Sequence, residues 1–213
     1  MSIKLNAQSG GSVALDAPTQ TTGSADNLYK LPIADGSAGQ VLKTDGSGNL
    51  SWVSLPTGGL SNAVQFRTTQ DQQQDNGNAY ETLTNWEKAD NTDAGQVGTF
   101  ADPSSNIFTF PSTGIWRIDF NLLVYNTSNG FRYWRMLIAT TTDNSSYGTA
   151  ARTDSMNANG SYMSGHCCYI MDVTNVSTHK VQFQVRGEDG NIYYQGNTGN
   201  NQTHVTFMKL GDT

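Results

Sequence analysis

The chain is short of charge. Only 14% of its 213 residues are Asp, Glu, Lys or Arg, and the balance is −6. With no basic stripe there is nothing to release counterions from phosphates, which argues against nucleic acid as a partner. Long apolar runs are also missing: none approaches the ~20 residues a spanning helix needs, so membrane insertion is not expected. Cysteine is nearly absent. The two present, Cys167 and Cys168, are adjacent. Neighbours on a strand point to opposite faces, a poor geometry for a disulfide, so they read as small reduced hydrophobes. The opening MSIKLNAQSGG lacks a charged region followed by an apolar one and a cleavage site. The expectation is synthesis and assembly in a cytoplasm.

Constellations for catalysis or metal binding are missing too. His166, His179 and His204 fall on three separate strand candidates without ligand spacing. No serine occupies a Gly-x-Ser-x-Gly elbow, and no Cys–His pair has an orienting carboxylate. Glu81, Asp119, Asp172 and Glu188 show no spacing suited to glycoside hydrolysis. The stretch 89–95, ADNTDAG, is oxygen-rich like a calcium loop but lacks its alternation and terminal Glu, and is read as a polar loop. No enzyme, metal or cofactor is expected. Asn126, Asn144, Asn175 and Asn201 head Asn-x-Ser/Thr triplets, which a chain this rich in those residues contains by chance.

What is abundant is Gly, Asn, Thr, Ser and Gln around short apolar runs. The clearest pattern is Asn106–Asn126, NIFTFPSTGIWRIDFNLLVYN. Pro111-Ser112-Thr113-Gly114 reads as a turn between two strands. Beyond it, Trp116, Ile118, Phe120, Leu122 and Val124 alternate with Arg117, Asp119 and Asn121, the period-two signature of a half-buried strand. Further candidates are Ala63–Thr68, Glu81–Trp86, Gln96–Phe100, Phe131–Thr140, Gly148–Arg152, Tyr162–Asp172, Lys180–Arg186 and His204–Leu210. Regular strands without a convincing helix indicate an all-β fold over residues 61–213, a two-sheet sandwich or a jelly roll.

Residues 1–60 differ. Ile3 and Leu5, then Val13 and Leu15, flank Ser9-Gly10-Gly11 as a small hairpin. Val41-Leu42 and Leu50–Val53 flank Asp45-Gly46-Ser47-Gly48-Asn49 as a second. Neither carries enough apolar surface to fold alone, so this extended arm needs copies of itself or a partner for order. Pro56-Thr57-Gly58-Gly59 marks the boundary between arm and head.

Two strands, Phe131–Ala139 and Tyr162–Met171, are apolar on both faces. A subunit interface is the simplest cover for the second face, with Tyr133, Cys167, Tyr169 and Met171 as candidates. If successive strands alternate direction, the loops 126–130, 156–161 and 187–203 gather at one end. The last of these holds Tyr193 and Tyr194 among Asn, Gln and Gly, a mix suited to stacking on sugar faces and bonding their hydroxyls. Candidate receptor-binding residues are Asn129, Asn159, Tyr193, Tyr194, Asn197 and Asn200. A self-packed loop with buried tyrosines is the competing reading.

FTFPSTGIWRIDF resembles the aromatic-x-x-Pro-x-x-Gly-aromatic-x-aromatic motif of the complement component q globular head, within the tumour-necrosis-factor-like jelly rolls. Ala63–Phe66, Leu83–Trp86 and the terminal VTFMKLGD fit that family's first and last strands. The chain departs at Ser177-Thr178-His179, where the family has Gly-Asp. Independently, AGQVLKTDGSGNLSWVS, preceded by LPIADGSAGQ, resembles a segment of fibre and appendage proteins of tailed bacteriophages. Together these resemblances imply a homotrimeric virion protein. An N-terminal arm, anchored through Ile3, Leu5, Val13, Leu15, Leu28 and Tyr29 to other virion structural proteins, would carry a head that binds a host surface polysaccharide. The alternative is a capsid decoration or head-fibre protein that stabilises the shell; a polysaccharide depolymerase is a third, weaker reading.

Overall fold

A computed structural model describes residues 3–6, 12–15, 28–54, 59–75 and 78–213. Two compact units divide between Gly58 and Gly59. The Ser9-Gly10-Gly11 and Pro56-Thr57-Gly58 turns fall outside the described residues.

In the first unit, β1 (Ile3–Asn6) pairs antiparallel with β2 (Ser12–Leu15), setting Ile3 opposite Leu15 and Leu5 opposite Val13. β3 (Gln40–Thr44) and β4 (Leu50–Ser54) form a second antiparallel pair. Their loop is shaped by Asp45, whose carboxylate accepts from Ser47 N at 2.7 Å and Asn49 N at 3.1 Å. Gly46 and Gly48 supply the φ of 80° and 87° that this loop requires. A side chain on Gly48 would also strike the Leu28 carbonyl at 2.4 Å, because the segment around Lys30 lies alongside. Lys30 N donates to Gly48 O at 2.8 Å and Leu50 N donates to Lys30 O at 2.9 Å. Leu28, Tyr29, Leu31 and Ile33 are left exposed.

The second unit is a sandwich of two antiparallel sheets, with no helix among the described residues. Its strands are β5 (Ala63–Thr68), β6 (Gln72–Gln73), β7 (Glu81–Thr82), β8 (Trp86–Lys88), β9 (Phe108–Thr109), β10 (Gly114–Asn126), β11 (Arg132–Thr141), β12 (Gly148–Asn157), β13 (Tyr162–Val173), β14 (Lys180–Gly187), β15 (Ile192–Tyr194) and β16 (His204–Gly211). The long β10 organises the first sheet. One of its edges pairs with β13 along nearly its whole length; the other is shared between β16 from Ile115 to Asn121 and β15 from Val124 to Asn126. β5 and β8 extend the sheet beyond β16, and β6 extends it beyond β15. The second sheet runs β12-β11-β14, with β7 and β9 sharing the far edge of β14.

Alternation along β10 sends Trp116, Ile118, Phe120, Leu122 and Val124 into the core, against Trp134, Met136 and Ile138 of β11 and Val181, Phe183 and Val185 of β14. Phe108 sits in an aromatic cluster, its ring 5.2 Å from Phe66, 5.3 Å from Phe207 and 5.2 Å from Phe183. At the turn before β10, Gly114 has φ 136°, and a Cβ there would meet Gly211 O at 2.5 Å. Trp116 Nε1 reaches back to Ser112 O at 3.1 Å and fixes the turn.

Three strand expectations change. Glu81–Trp86 is not one strand: Asn85, at φ 59°, lets the chain cross from β7 in the second sheet to β8 in the first. Gln96–Phe100 makes only a single bridge, Val97 to Ala63. Residues 187–203, expected as one loop, contain the strand β15.

The doubly apolar strands also resolve differently. On β11, Leu137 and Ala139 lie on the outer side yet are buried within the chain, with Arg152 and Gln184 flanking Leu137 across the strands. On β13, the register Phe120 opposite Cys167 and Trp116 opposite Met171 turns Cys167, Tyr169 and Met171 toward the core. They therefore face the core, where the sequence led us to expect a partner-facing set. Burial pushes the Cys167 thiol pKa up to about 12. Tyr133 lies on the outer side of the second sheet, half-buried, its hydroxyl bonded to Asn78 Oδ1.

Candidate functional site

β10, β12 and β14 all run toward the same end of the sandwich, so the loops 127–131, 158–161 and 188–191 meet there as an apex. The return strand β16 runs the other way, and the chain enters β5 at the opposite end, where Ala63 pairs with Met208. Asn126 holds the apex together. Fully buried, it donates through Nδ2 to Gly130 O at 3.1 Å and Asn157 O at 2.9 Å. Its Oδ1 accepts from Ser128 N and Ser128 Oγ, both at 2.9 Å. Its own carbonyl accepts from Gly160 N at 2.8 Å. This asparagine heads one of the Asn-x-Ser/Thr triplets, and its amide is spent on the fold. The third loop joins through Thr127 N, which donates to Asn191 O at 2.9 Å.

One charge pair lies within the apex. Arg132 Nε donates to Asp189 Oδ2 at 2.7 Å and Nη1 to Phe131 O at 3.0 Å. Burial works to raise the Asp189 pKa, but hydrogen bonds from Asn191 and Arg132 outweigh it and hold the carboxyl below its ordinary value. Beside the exposed Glu188, the apex offers uncharged groups to solvent: Asn129 and Asn159, linked by Asn159 Nδ2 donating to Asn129 Oδ1 at 3.1 Å, with Phe131 at 66% and Tyr162 at 61% exposure.

Of the six expected receptor residues, the structure brings together only Asn129 and Asn159. Tyr194 is a core residue: it points inward from β15, is 1% exposed, and donates its hydroxyl to Gln74 Oε1 at 2.6 Å. Desolvation raises its pKa further. Tyr193 is half-buried, opposite Tyr125 and Gln73. Asn197 and Asn200 belong to a separate excursion between β15 and β16. Asn197 N donates to Thr68 O at 2.8 Å and Asn91 Nδ2 to Gly199 O at 2.8 Å, away from the apical loops. Sequence reasoning missed Phe131 and Tyr162, each the residue that follows an apical turn; alternation assigned both to strands.

The polar stretch 89–95 already has its cation. Arg67, 1% exposed, bonds Glu87 through Nε at 2.8 Å, Asn91 through Nη1 and Asp90 through Nη2. Of the carboxylates considered for hydrolysis, Asp119 and Asp172 lie on the first sheet, Glu81 on the second, and Glu188 in an apical loop.

The outer side of the first sheet is a second surface of interest. Register places His166, Asn121 and His204 in one row across β13, β10 and β16, lining a groove of about 450 Å³ with Leu123, Ser164 and Gln202. Burial acts to raise the Asp119 pKa, yet hydrogen bonds from Arg117, at 2.7 Å and 2.9 Å, and from His166, at 3.2 Å, lower it. His204 is pushed toward its neutral form, chiefly by desolvation. Tyr125 and Tyr162 stack at 4.6 Å on the same side, and Ile170 is exposed there. In the first unit, Leu28 and Tyr29 are exposed; Ile3, Leu5, Val13 and Leu15 are placed by backbone pairing alone.

This strand order is that of a tumour-necrosis-factor-like jelly roll, and solved structures agree. The chain is similar to Eiger TNF from S. frugiperda, at 14% identity over 71% of this chain and 93% of that one, with a TM-score of 0.50. It is also similar to murine APRIL, solved at pH 5.0, at 11% identity over 70% of this chain and 98% of that one, with a TM-score of 0.51. At such identities the likeness shows the fold alone. No family model and no curated protein matches the chain.

Proposed function

We propose that the protein is a homotrimeric virion component of the phage fibre or tip type, whose apical loops bind a host surface glycan and whose N-terminal arm anchors it to other virion proteins. The observation that carries this reading is the apex: two loops tied by Asn126 and a third joined through Thr127, presenting neutral amides and an exposed aromatic ring. An aromatic face stacks on a sugar ring, and amides bond its hydroxyls without demanding charge. The chain enters the sandwich at the opposite end, which suits an arm directed at the particle. Self-association is supported by the tumour-necrosis-factor-like fold and by the exposed Ile170 on the outer side of the first sheet. Three weak apical contacts would then act together through avidity.

The test replaces Phe131, Asn129 and Asn159 with alanine in the intact protein. Light scattering should still give three times the 23.0 kDa chain mass, while adsorption to host cells is lost. Unchanged adsorption would refute the apical role, and a monomeric wild-type protein would refute the trimer. Antibody labelling of particles should place the protein on the tail; labelling spread over the head would favour the shell-decoration alternative.

A further inference from the structure

Two Asn-Gly pairs, Asn129-Gly130 and Asn159-Gly160, stand side by side at the apex. A third, at 76–77, lies outside the described residues. Asn-Gly is the dipeptide most prone to spontaneous deamidation, because glycine leaves its backbone nitrogen unhindered. That nitrogen attacks the asparagine Cγ, a C–N bond forms, and the side-chain amide leaves as ammonia. Water then opens the cyclic imide to aspartate or isoaspartate. The balance is one water consumed and one ammonia released, with no redox change.

The two sites are not equivalent. Gly160 N donates to Asn126 O at 2.8 Å, so its proton is held by a buried carbonyl and its nitrogen is committed away from Asn159. Gly130 N donates to nothing among the described residues. Its neighbour is also activated: Asn159 Nδ2 donates to Asn129 Oδ1 at 3.1 Å, drawing electrons from the carbon under attack and stabilising the oxygen that gains charge. Asn129 is exposed, so water can complete the reaction. Gly130 sits at φ 99°, in the left-handed region where glycine belongs.

We infer that Asn129 is a self-modification site of the folded protein, ageing to aspartate or isoaspartate while Asn159 beside it is protected. The product adds a negative charge to an apex that already holds Asp189 and Glu188. The isoaspartate form also adds a backbone methylene within the loop that Asn126 fastens.

The experiment incubates the full-length protein at mildly alkaline pH and follows both sites by peptide mass spectrometry, with a parallel sample in strong denaturant. Asn129 should convert several-fold faster than Asn159 in the folded protein, and the ratio should fall to about one in denaturant, where both are plain Asn-Gly dipeptides. Asn159→Ala, which removes the donor to Asn129 Oδ1, should slow conversion at Asn129. Equal rates in the folded state, faster conversion at Asn159, or no conversion at either while the denatured chain reacts would each overturn the inference. These readouts do not depend on host binding, so they stand or fall apart from the receptor role.

Discussion

The two units of this chain make opposite use of their apolar residues. In the sandwich, every large inward side chain of β10 is buried, and Phe108 alone meets four other rings. In the first unit, Leu28, Tyr29, Leu31 and Ile33 face solvent, and Trp52 is tied to the fold by one hydrogen bond, from Nε1 to Ala34 O at 2.9 Å. The head therefore carries its own core, whereas the described part of the arm leaves these side chains in solvent. That contrast can be broken by mutation.

The largest effect is expected at the centre of the head. Phe108→Ala should cost about 3–5 kcal/mol, the range for deleting a buried aromatic ring, measured by denaturant unfolding. A loss near zero would mean the head is not the stable unit. Next comes Arg67→Met. It keeps the buried stem but strands Glu87, Asp90 and Asn91 without their cation. Because Asp90 is exposed and Glu87 partly so, water relieves some of that, and a loss of about 2 kcal/mol is expected. Calcium should not stabilise the wild-type protein through this loop.

A smaller effect depends on pH. His204 has its pKa lowered from 6.5, so the folded state favours the neutral ring and the unfolded chain takes up the proton first. Stability is then held above pH 6.5 and lost as the pH falls below it, by at most about 1.4 kcal/mol per pH unit for one such group. The lowered pKa values of Asp119 and Asp189 extend the loss to lower pH. Thermal melts of wild type and His204→Gln should diverge on acidification, the variant having the flatter profile. The smallest effect belongs to the arm. Ile33→Ser should change stability by less than about 0.5 kcal/mol, since nothing in the described structure buries this side chain. If Ile33→Ser instead lowers the melting temperature by several degrees, the arm is more self-sufficient than its exposure indicates.

Much of the head could be read from sequence because β10 alternates cleanly from Trp116 to Leu122 and a Pro–Gly turn precedes it. The hairpin around Asp45–Asn49 was legible for the same reason: two glycines stand where positive φ is needed. The faces of β13 were not, since Cys167, Tyr169 and Met171 alternate with Cys168 and Ile170 and both sets are apolar. Only the register with β10 decides between them. β15 was hidden because three residues in a Gly- and Asn-rich stretch carry no periodicity, and Tyr194 looked like a loop residue until its pairing buried it. The apex was partly visible. Strand direction alone gathered Asn129 and Asn159, but the hub role of Asn126 depends on hydrogen bonds that no spacing reveals.

The shared edge of β10 has one more implication. β15 occupies its upper part and β16 its lower part, so the excursion from Gly196 to Gln202 leaves the sheet and returns to it without interrupting a strand. Gly196 must stay, since any Cβ would strike Gln70 O at 2.2 Å, but Thr198, Gly199 and Asn200 stand outward. Here the chain can gain or lose residues while both sheets keep their register. Related chains would be expected to differ most in length at this point, and a short peptide grafted there would be displayed on the flank of the head, leaving its tip undisturbed.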